Sequence, residues 1–225
     1  MIDVKYIDCM IYMKTCRDNE FDLAVCDPPY FNGPDKLGYY GASVSSCGVF
    51  REGYEKTTDW EVPNQDYFDE LKRVSRHQII WGINYFDIKN IGTGRIIWDK
   101  VNQNSTFSDC EIAYCSMHDS VRMFSYMWNG MLQGKSISEG RTARGNKKKN
   151  EKRIHPTQKP VILYDWTFMK YAKPGMKILD THLGSGSICL AADVFGVDLV
   201  GCEKTKKYAI SAQERYNNFK SQGLF

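Results

Sequence analysis

Asp27, Pro28, Pro29 and Tyr30 follow directly on the apolar run Leu23–Cys26. A buried strand over that run would deliver a carboxylate at its C-terminal end. The prolines stiffen the next two residues and remove two N–H donors, so carbonyls rather than amides can face the site. A carboxylate, an outward carbonyl and a ring within four residues can grip a planar base that carries an amino group. The acceptors take the amino hydrogens and the ring stacks on the base. The plainer alternative is a strand exit with a proline turn and a capping Asp.

A second stretch, Asp180-Thr-His-Leu-Gly-Ser-Gly-Ser187, follows the strand-like Lys177–Leu179 and opens a helical pattern. Gly184 and Gly186 permit a tight turn and a close backbone approach to a ligand. Glu203, 17 residues beyond Gly186, ends the next strand-like run, where an acid can accept hydrogen bonds from both hydroxyls of a ribose. The spacing is neither G-x-G-x-x-G nor a P-loop, so a nucleoside cofactor without a critical phosphate fits better than a phosphate cradle. The plainer alternative is a β–α turn that uses glycine for geometry alone. His155 and His182 stand outside any cluster with metal-ligand spacing, and no metal is expected.

Charge narrows the partner. From Lys135 to Lys159 there are nine basic and two acidic residues, a net +7 in a chain whose total is +3. The remainder is therefore acidic by four charges, and concentration of this kind suggests a polyanionic partner. A solvated basic loop is the competing reading. With 42% hydrophobic and 25% charged residues the chain has the balance of a globular domain rather than of a disordered one. No apolar run is long enough to span a membrane, and the N-terminus lacks the pattern of a signal peptide. The eight cysteines include no C-x-x-C pair and read as reduced, mostly buried thiols of a cytoplasmic protein.

The elements that must hold these residues read as follows. Strands are expected near Val4–Ile7, Asp22–Cys26, Gln78–Gly82, Arg95–Trp98, Glu111–Cys115 and Val121–Phe124. Helices are expected over Met10–Thr15, from Gln65 with Tyr67, Phe68, Leu71 and Val74 on one face, and from Val161 to Ala172. The last segment alternates: strand Lys177–Asp180, helix Ser187–Phe195, strand Leu199–Glu203, helix Lys206–Phe219 with Thr205 as N-cap. That alternation predicts a parallel sheet with crossover helices. Residues 31–58 and 129–155 read as long polar loops. Trp60, Trp81, Trp98, Trp128 and Trp166 read as packing residues.

Taken together, DPPY at 27–30, HPTQKP at 155–160 and DTHLGSGS at 180–187, with Glu203 beyond, resemble the amino-group DNA methyltransferases that use S-adenosylmethionine. Weaker matches are Trp81–Phe86, Ile97–Lys100 and Asp109–Glu111. The catalytic motif precedes the cofactor motif, the permuted order of the family's beta group. The resemblance implies a Rossmann-like α/β class I methyltransferase fold: a seven-stranded, mostly parallel sheet with helices on both faces. It implies one domain over 1–225, with a catalytic half (1–117), a short basic target-recognition insertion (118–154) and a cofactor half (155–225).

The resemblance also implies roles. Asp27 and the Pro28 carbonyl would accept from the target amino group, beside Pro29, with Tyr30 stacked on the flipped base. Asp180, Gly184, Ser185 and Gly186 would line the methionine part of the cofactor, and Glu203 would hold its ribose. Thr157 and Lys159 would close the carboxylate end, and Asp8 would lie near the adenine. Arg141, Arg144, Lys147, Lys148, Lys149, Lys152 and Arg153 would contact DNA, with the 31–58 loop or a second subunit completing the grip. Thr181-His182 departs from the family's usual Pro-Phe. The implied reaction is site-specific methylation of adenine N6 in duplex DNA, in a protein of bacterial, phage or mobile-element origin. Cytosine N4 methylation, glutamine methylation in proteins and a catalytically silent nucleic-acid binder are the alternatives.

Overall fold

The computed structural model describes residues 1–30, 43–44, 50–51, 61–102, 108–129, 132–134, 151, 154 and 157–223. The seven basic side chains singled out between Arg141 and Arg153 lie outside the described residues, as do Trp60 and His155.

Strand β1 (Ile2–Tyr6) leads to helix α1 (Cys9–Thr15) and β2 (Phe21–Cys26). A small antiparallel pair, β3 (Ser43–Val44) and β4 (Phe50–Arg51), precedes α2 (Gln65–Val74). Then come β5 (Ser75–Trp81), β6 (Arg95–Asp99), β7 (Cys110–Cys115), β8 (Val121–Ser125) and the hairpin of β9 (Met127–Asn129) with β10 (Leu132–Gly134). The chain closes with α3 (Val161–Tyr171), β11 (Lys177–Asp180), α4 (Ser187–Phe195), β12 (Asp198–Glu203) and α5 (Lys206–Ser221).

The main sheet has eight strands in the order β1-β12-β11-β2-β5-β7-β6-β8. Seven run in one direction and β7 runs against them. The family resemblance implies seven strands, whereas the sheet has eight; β8, expected near Val121–Phe124, lies parallel to β6 at the outer edge. Its Val121, Arg122 and Met123 are exposed, so it lacks the alternation that marks a half-buried strand.

Period-two alternation explains how the sheet is covered on both faces. Leu23, Val25, Ile79, Trp81 and Ile178 pack on one side with Leu163 and Phe168 of α3 and Ile188 and Ala192 of α4. Ala24, Cys26, Ile80 and Leu179 face the other side, against Met13 of α1 and Tyr67, Phe68 and Leu71 of α2. Trp81, Trp98 and Trp128 are buried in the first of these cores, and Trp166 packs against it. No described helix is long and apolar enough to cross a membrane.

The strand order sets the site. β1, β12, β11 and β2 are neighbours and parallel. Each delivers an acid at or just past its C-terminal end: Asp8, Glu203, Asp180 and Asp27. Open α/β sheets bind ligands along this edge.

Candidate active site

A cavity of about 740 Å³ lies along that edge. Its wall includes Asp8, Cys9 and Lys204 at one end and Asp27, Pro29, Thr157 and Lys159 at the other, with His182, Gly184, Ser185 and Glu203 between. The volume is that of a pocket for a nucleoside-sized or larger small molecule. Asp8, Asp27, Pro29, Thr157, Lys159, Gly184, Ser185 and Glu203 thus line one cavity. Pro28, Tyr30, Asp180 and Gly186 do not line the cavity.

Glu203 is mostly buried, and each of its oxygens already accepts one amide: Oε2 from Gly184 N–H at 2.9 Å and Oε1 from Thr205 N–H at 2.8 Å. Each carboxylate oxygen keeps a second lone pair for a ligand hydroxyl. Burial raises its pKa, and the two amides pull it back. Glu203 therefore fixes the glycine turn as well as facing the cavity. Asp180 is buried, with Oδ1 accepting from His182 N–H at 3.0 Å. Burial pushes its carboxyl up to about 7, against that hydrogen bond and with the help of Asp27 and Glu203.

Gly186 has φ +68°, and a Cβ there would lie 2.8 Å from the Ala212 Cβ. What Gly186 permits is a left-handed turn and the close approach of α5. Of the turn residues expected to approach a ligand, Gly184 and Ser185 line the cavity and Gly186 does not.

Asp8 is the N-cap of α1, its Oδ1 accepting from Met10 N–H at 2.8 Å and Ile11 N–H at 3.2 Å. Thr205 holds the N-cap position of α5, but without a side-chain capping bond. The Thr181-His182 departure makes a polar wall. Tyr67 Oη lies 2.6 Å from Thr181 Oγ1, which lies 2.9 Å from His182 Nδ1. Burial and the nearby Lys204 lower the His182 pKa to about 3, so its ring is neutral at pH 7.

At the opposite end, Lys159 forms an ion pair with Asp27 Oδ2 and another, at 2.9 Å, with Glu111 Oε2. The second contact lacks hydrogen-bond direction and is ionic only. Glu111 Oε1 in turn pairs with Lys100 at 2.6 Å. The Lys159 side chain is 2% exposed. Asp27 Oδ1 is buried and has no hydrogen-bond partner among the described residues. Burial pushes Asp27 up; Lys159 pulls it back and Glu111 pushes it up again, leaving it above its ordinary value. Burial would also raise Glu111, but Lys159 and Lys100 hold it down at about 2.

Tyr30 stacks on Tyr85, with centroids 4.7 Å apart and planes 4° from parallel. Gly82, at φ +72°, packs against the Tyr30 ring so closely that a Cβ would lie 2.4 Å from Cδ1. One face of the ring expected to stack on a base is thus occupied by Tyr85.

The sequence gives no sign of a further network beside the glycine turn. Glu151 Oε1 accepts from Arg215 Nη2 at 2.6 Å, Gln158 Nε2 at 2.8 Å and Ser187 Oγ at 3.2 Å, and Oε2 accepts from Val161 N–H at 2.8 Å. Gln133 brackets the Glu151 backbone with bonds of 3.0 and 2.9 Å. In the linear chain Glu151 is only an acid opposing a basic run. Its partners come from four separate segments.

A family model described as DNA methylase, for N6 and N4 methyltransferases, matches residues 21–214. The chain is 25% identical over 244 residues to the type II methyltransferase M.HinfI of Haemophilus influenzae, covering 95% of this chain and 67% of that one. It is 25% identical over 240 residues to the type II methyltransferase M2.MboI of Moraxella bovis, covering 93% and 85%. Among solved structures, a complex of M1.HpyAVI with SAM matches with TM-score 0.55 and 18% identity over 96% of this chain and all of that one. The cytosine-N4-specific PvuII DNA methyltransferase matches with TM-score 0.51 and 10% identity over 98% and 93%. These two structures share the fold.

Proposed function

Since the chain belongs to the DNA methylase family of N6 and N4 amino-methyltransferases, we propose that it methylates adenine N6 in duplex DNA at a defined sequence, using S-adenosylmethionine. The observation that carries this reading is Asp27 Oδ1, a buried acceptor with no hydrogen-bond partner among the described residues, beside a cavity that runs to Glu203. A buried acceptor left unpaired is costly, and a donor supplied by a substrate removes that cost.

The residues suit the cofactor. The cavity has the right size, Glu203 retains lone pairs for a ribose, and Asp27 lies at the far end. S-adenosylmethionine bound there supplies a methyl group already activated by its sulfonium, so the protein need only present the acceptor nitrogen. An exocyclic amino nitrogen is a weak nucleophile because its lone pair is delocalised into the ring. Asp27 Oδ1 and the Pro28 carbonyl accept its two hydrogens, which favours a pyramidal nitrogen with its lone pair free. The surplus proton leaves to Asp27 or to water. Reaching that geometry requires the target nucleotide to be flipped from the helix.

Asp at position 27, rather than Ser, supports adenine over cytosine. The fold does not discriminate, since a cytosine-N4-specific enzyme shares it. The test is mass spectrometry of nucleosides from DNA of a host expressing the protein. N6-methyladenine is expected. N4-methylcytosine would overturn the base assignment, and unmodified DNA under a cofactor-bound protein would overturn the reaction.

A further inference from the structure

Four charged side chains from four segments form one chain of contacts: Lys100 just past β6, Glu111 in β7, Lys159 just before α3 and Asp27 just past β2. Two are cations and two are anions, so the cluster is neutral as a whole. A carboxylate moved out of water on its own is strongly disfavoured, and a buried ion pair survives only where geometry and partners compensate. Lys159 provides that compensation for Asp27. It also takes only one of the two oxygens, since Oδ2 holds the ammonium and Oδ1 is left buried without a hydrogen bond among the described residues. Lys159 is itself fixed from the other side by Glu111, and its ammonium lies 5.8 Å from the Trp81 ring and 6.0 Å from the Tyr30 ring.

We propose that Lys159 is a positioning residue for methyl transfer. It holds Asp27 charged and turned so that Oδ1 faces the target amino group, while Glu111, anchored by Lys100, fixes Lys159 and limits its pull on Asp27. This rests on the reading of Asp27 as the acceptor of the amino hydrogens. It moves Lys159 from the cofactor's carboxylate, where family resemblance put it, to the catalytic carboxylate. The charge logic predicts shifts of opposite sign. Removing Lys159 leaves Asp27 and Glu111 as like charges balanced only by Lys100, so Asp27 takes up its proton at higher pH. Removing the Glu111 charge leaves two cations around one carboxylate, so Asp27 holds its charge to lower pH. The other titratable groups facing Asp27 are Tyr30, Tyr164 and Asp180, and all variants leave them in place.

The experiment is a pH titration of carbon-13-labelled aspartate carboxyls by NMR on the cofactor-free protein, with Asp27→Asn used to assign the resonance. Lys159→Met should move the Asp27 titration up by a pH unit or more, and Glu111→Gln should move it down. The acid limb of methyl transfer into unmethylated phage DNA should follow in the same directions. If Lys159→Met does not fold, Lys100→Met, expected to shift Asp27 upward, and Glu111→Gln carry the test. The proposal is overturned if the Asp27 titration stays at its wild-type position, or if removing a cation and removing the anion shift it the same way. A fully active Asp27→Asn protein would instead sink the acceptor reading and leave the titration result standing.

Discussion

Asp27 and Glu203 line separate parts of one cavity, and their substitutions should separate chemistry from binding. Asp27→Ala is expected to abolish methylation, because losing one preorganised acceptor costs roughly 3 kcal/mol or more in the transition state. Its cofactor dissociation constant, measured by calorimetry, should stay within a few-fold. Glu203→Ala should do the reverse, weakening cofactor binding by about 1–3 kcal/mol through lost charge-assisted hydrogen bonds. Part of that loss is indirect, because Glu203 also holds the Gly184 amide. Asp180 adds a pH signature. Its pKa is raised from 3.8 to about 7, chiefly by burial. Between those values the native state binds more protons than the unfolded chain, so stability falls as pH rises from about 4 to about 7. Asp180→Asn keeps an acceptor for the His182 amide and removes the titration. The cofactor-free variant should therefore gain on wild type between pH 5 and pH 8 in thermal melts, with a ceiling on the order of 4 kcal/mol. No gain at pH 8 would mean that the native carboxylate is not disfavoured.

At the scale of the element, Asp8 serves helix α1 before it serves any ligand. Asp8→Ala should lower stability by about 1 kcal/mol through loss of the cap, whereas Asn caps as well as Asp. Asp8→Asn thus isolates the charge. A drop in cofactor affinity without a drop in melting temperature would assign the carboxylate to the cofactor. Strand β5 ends in a more demanding place. Gly82 combines a left-handed backbone with contact against Tyr30, so Gly82→Ala is strained twice over and must displace the ring. We expect a cost of about 1–3 kcal/mol and a loss of methylation larger than the loss of cofactor affinity, since Tyr30 lies outside the cavity wall.

Across the whole molecule, Glu151, an acid within the basic stretch, is tied to Arg215, Ser187 and Gln158 around the glycine turn. The basic stretch itself is expected to carry the contact with DNA phosphates. Replacing Lys147–Lys149 with Ala should lower the slope of log affinity against log salt by up to about 2.7, at about 0.9 per phosphate contact, and weaken binding to all duplex sequences alike. Arg141 and Arg144, whose guanidinium groups can bond guanine in two places, should instead affect one position of the recognised sequence. An unchanged salt slope in the triple variant would move the phosphate contacts elsewhere, most simply to residues 31–58.

What the linear chain determines by itself is whatever local rules govern. The apolar runs Leu23–Cys26 and Ile178–Leu179 make strands buried on both faces, Asp-Pro-Pro ends one, and Gly184 and Gly186 turn the other into a helix. Those rules place Asp27, Asp180 and Glu203 at strand ends whatever the remainder of the chain does. Boundaries are less legible: β5 begins at Ser75, directly from the end of α2, because pairing with β2 rather than composition recruits Ser-Arg-His. Edge strand β8 falls at the expected Val121–Phe124, although its first three residues are exposed. Only the tertiary structure decides that β1, β12, β11 and β2 lie side by side, which gathers four acids from distant segments along one sheet edge and puts three of them, Asp8, Glu203 and Asp27, on the wall of one cavity. It alone gives Lys159 its partners Asp27 and Glu111, Glu151 its partner Arg215, and Tyr30 its partner Tyr85. Each of these pairings joins residues far apart in sequence, and their energy depends on burial and distance. Neither quantity has a local signature, so the roles that depend on them become visible only once the sheet is assembled.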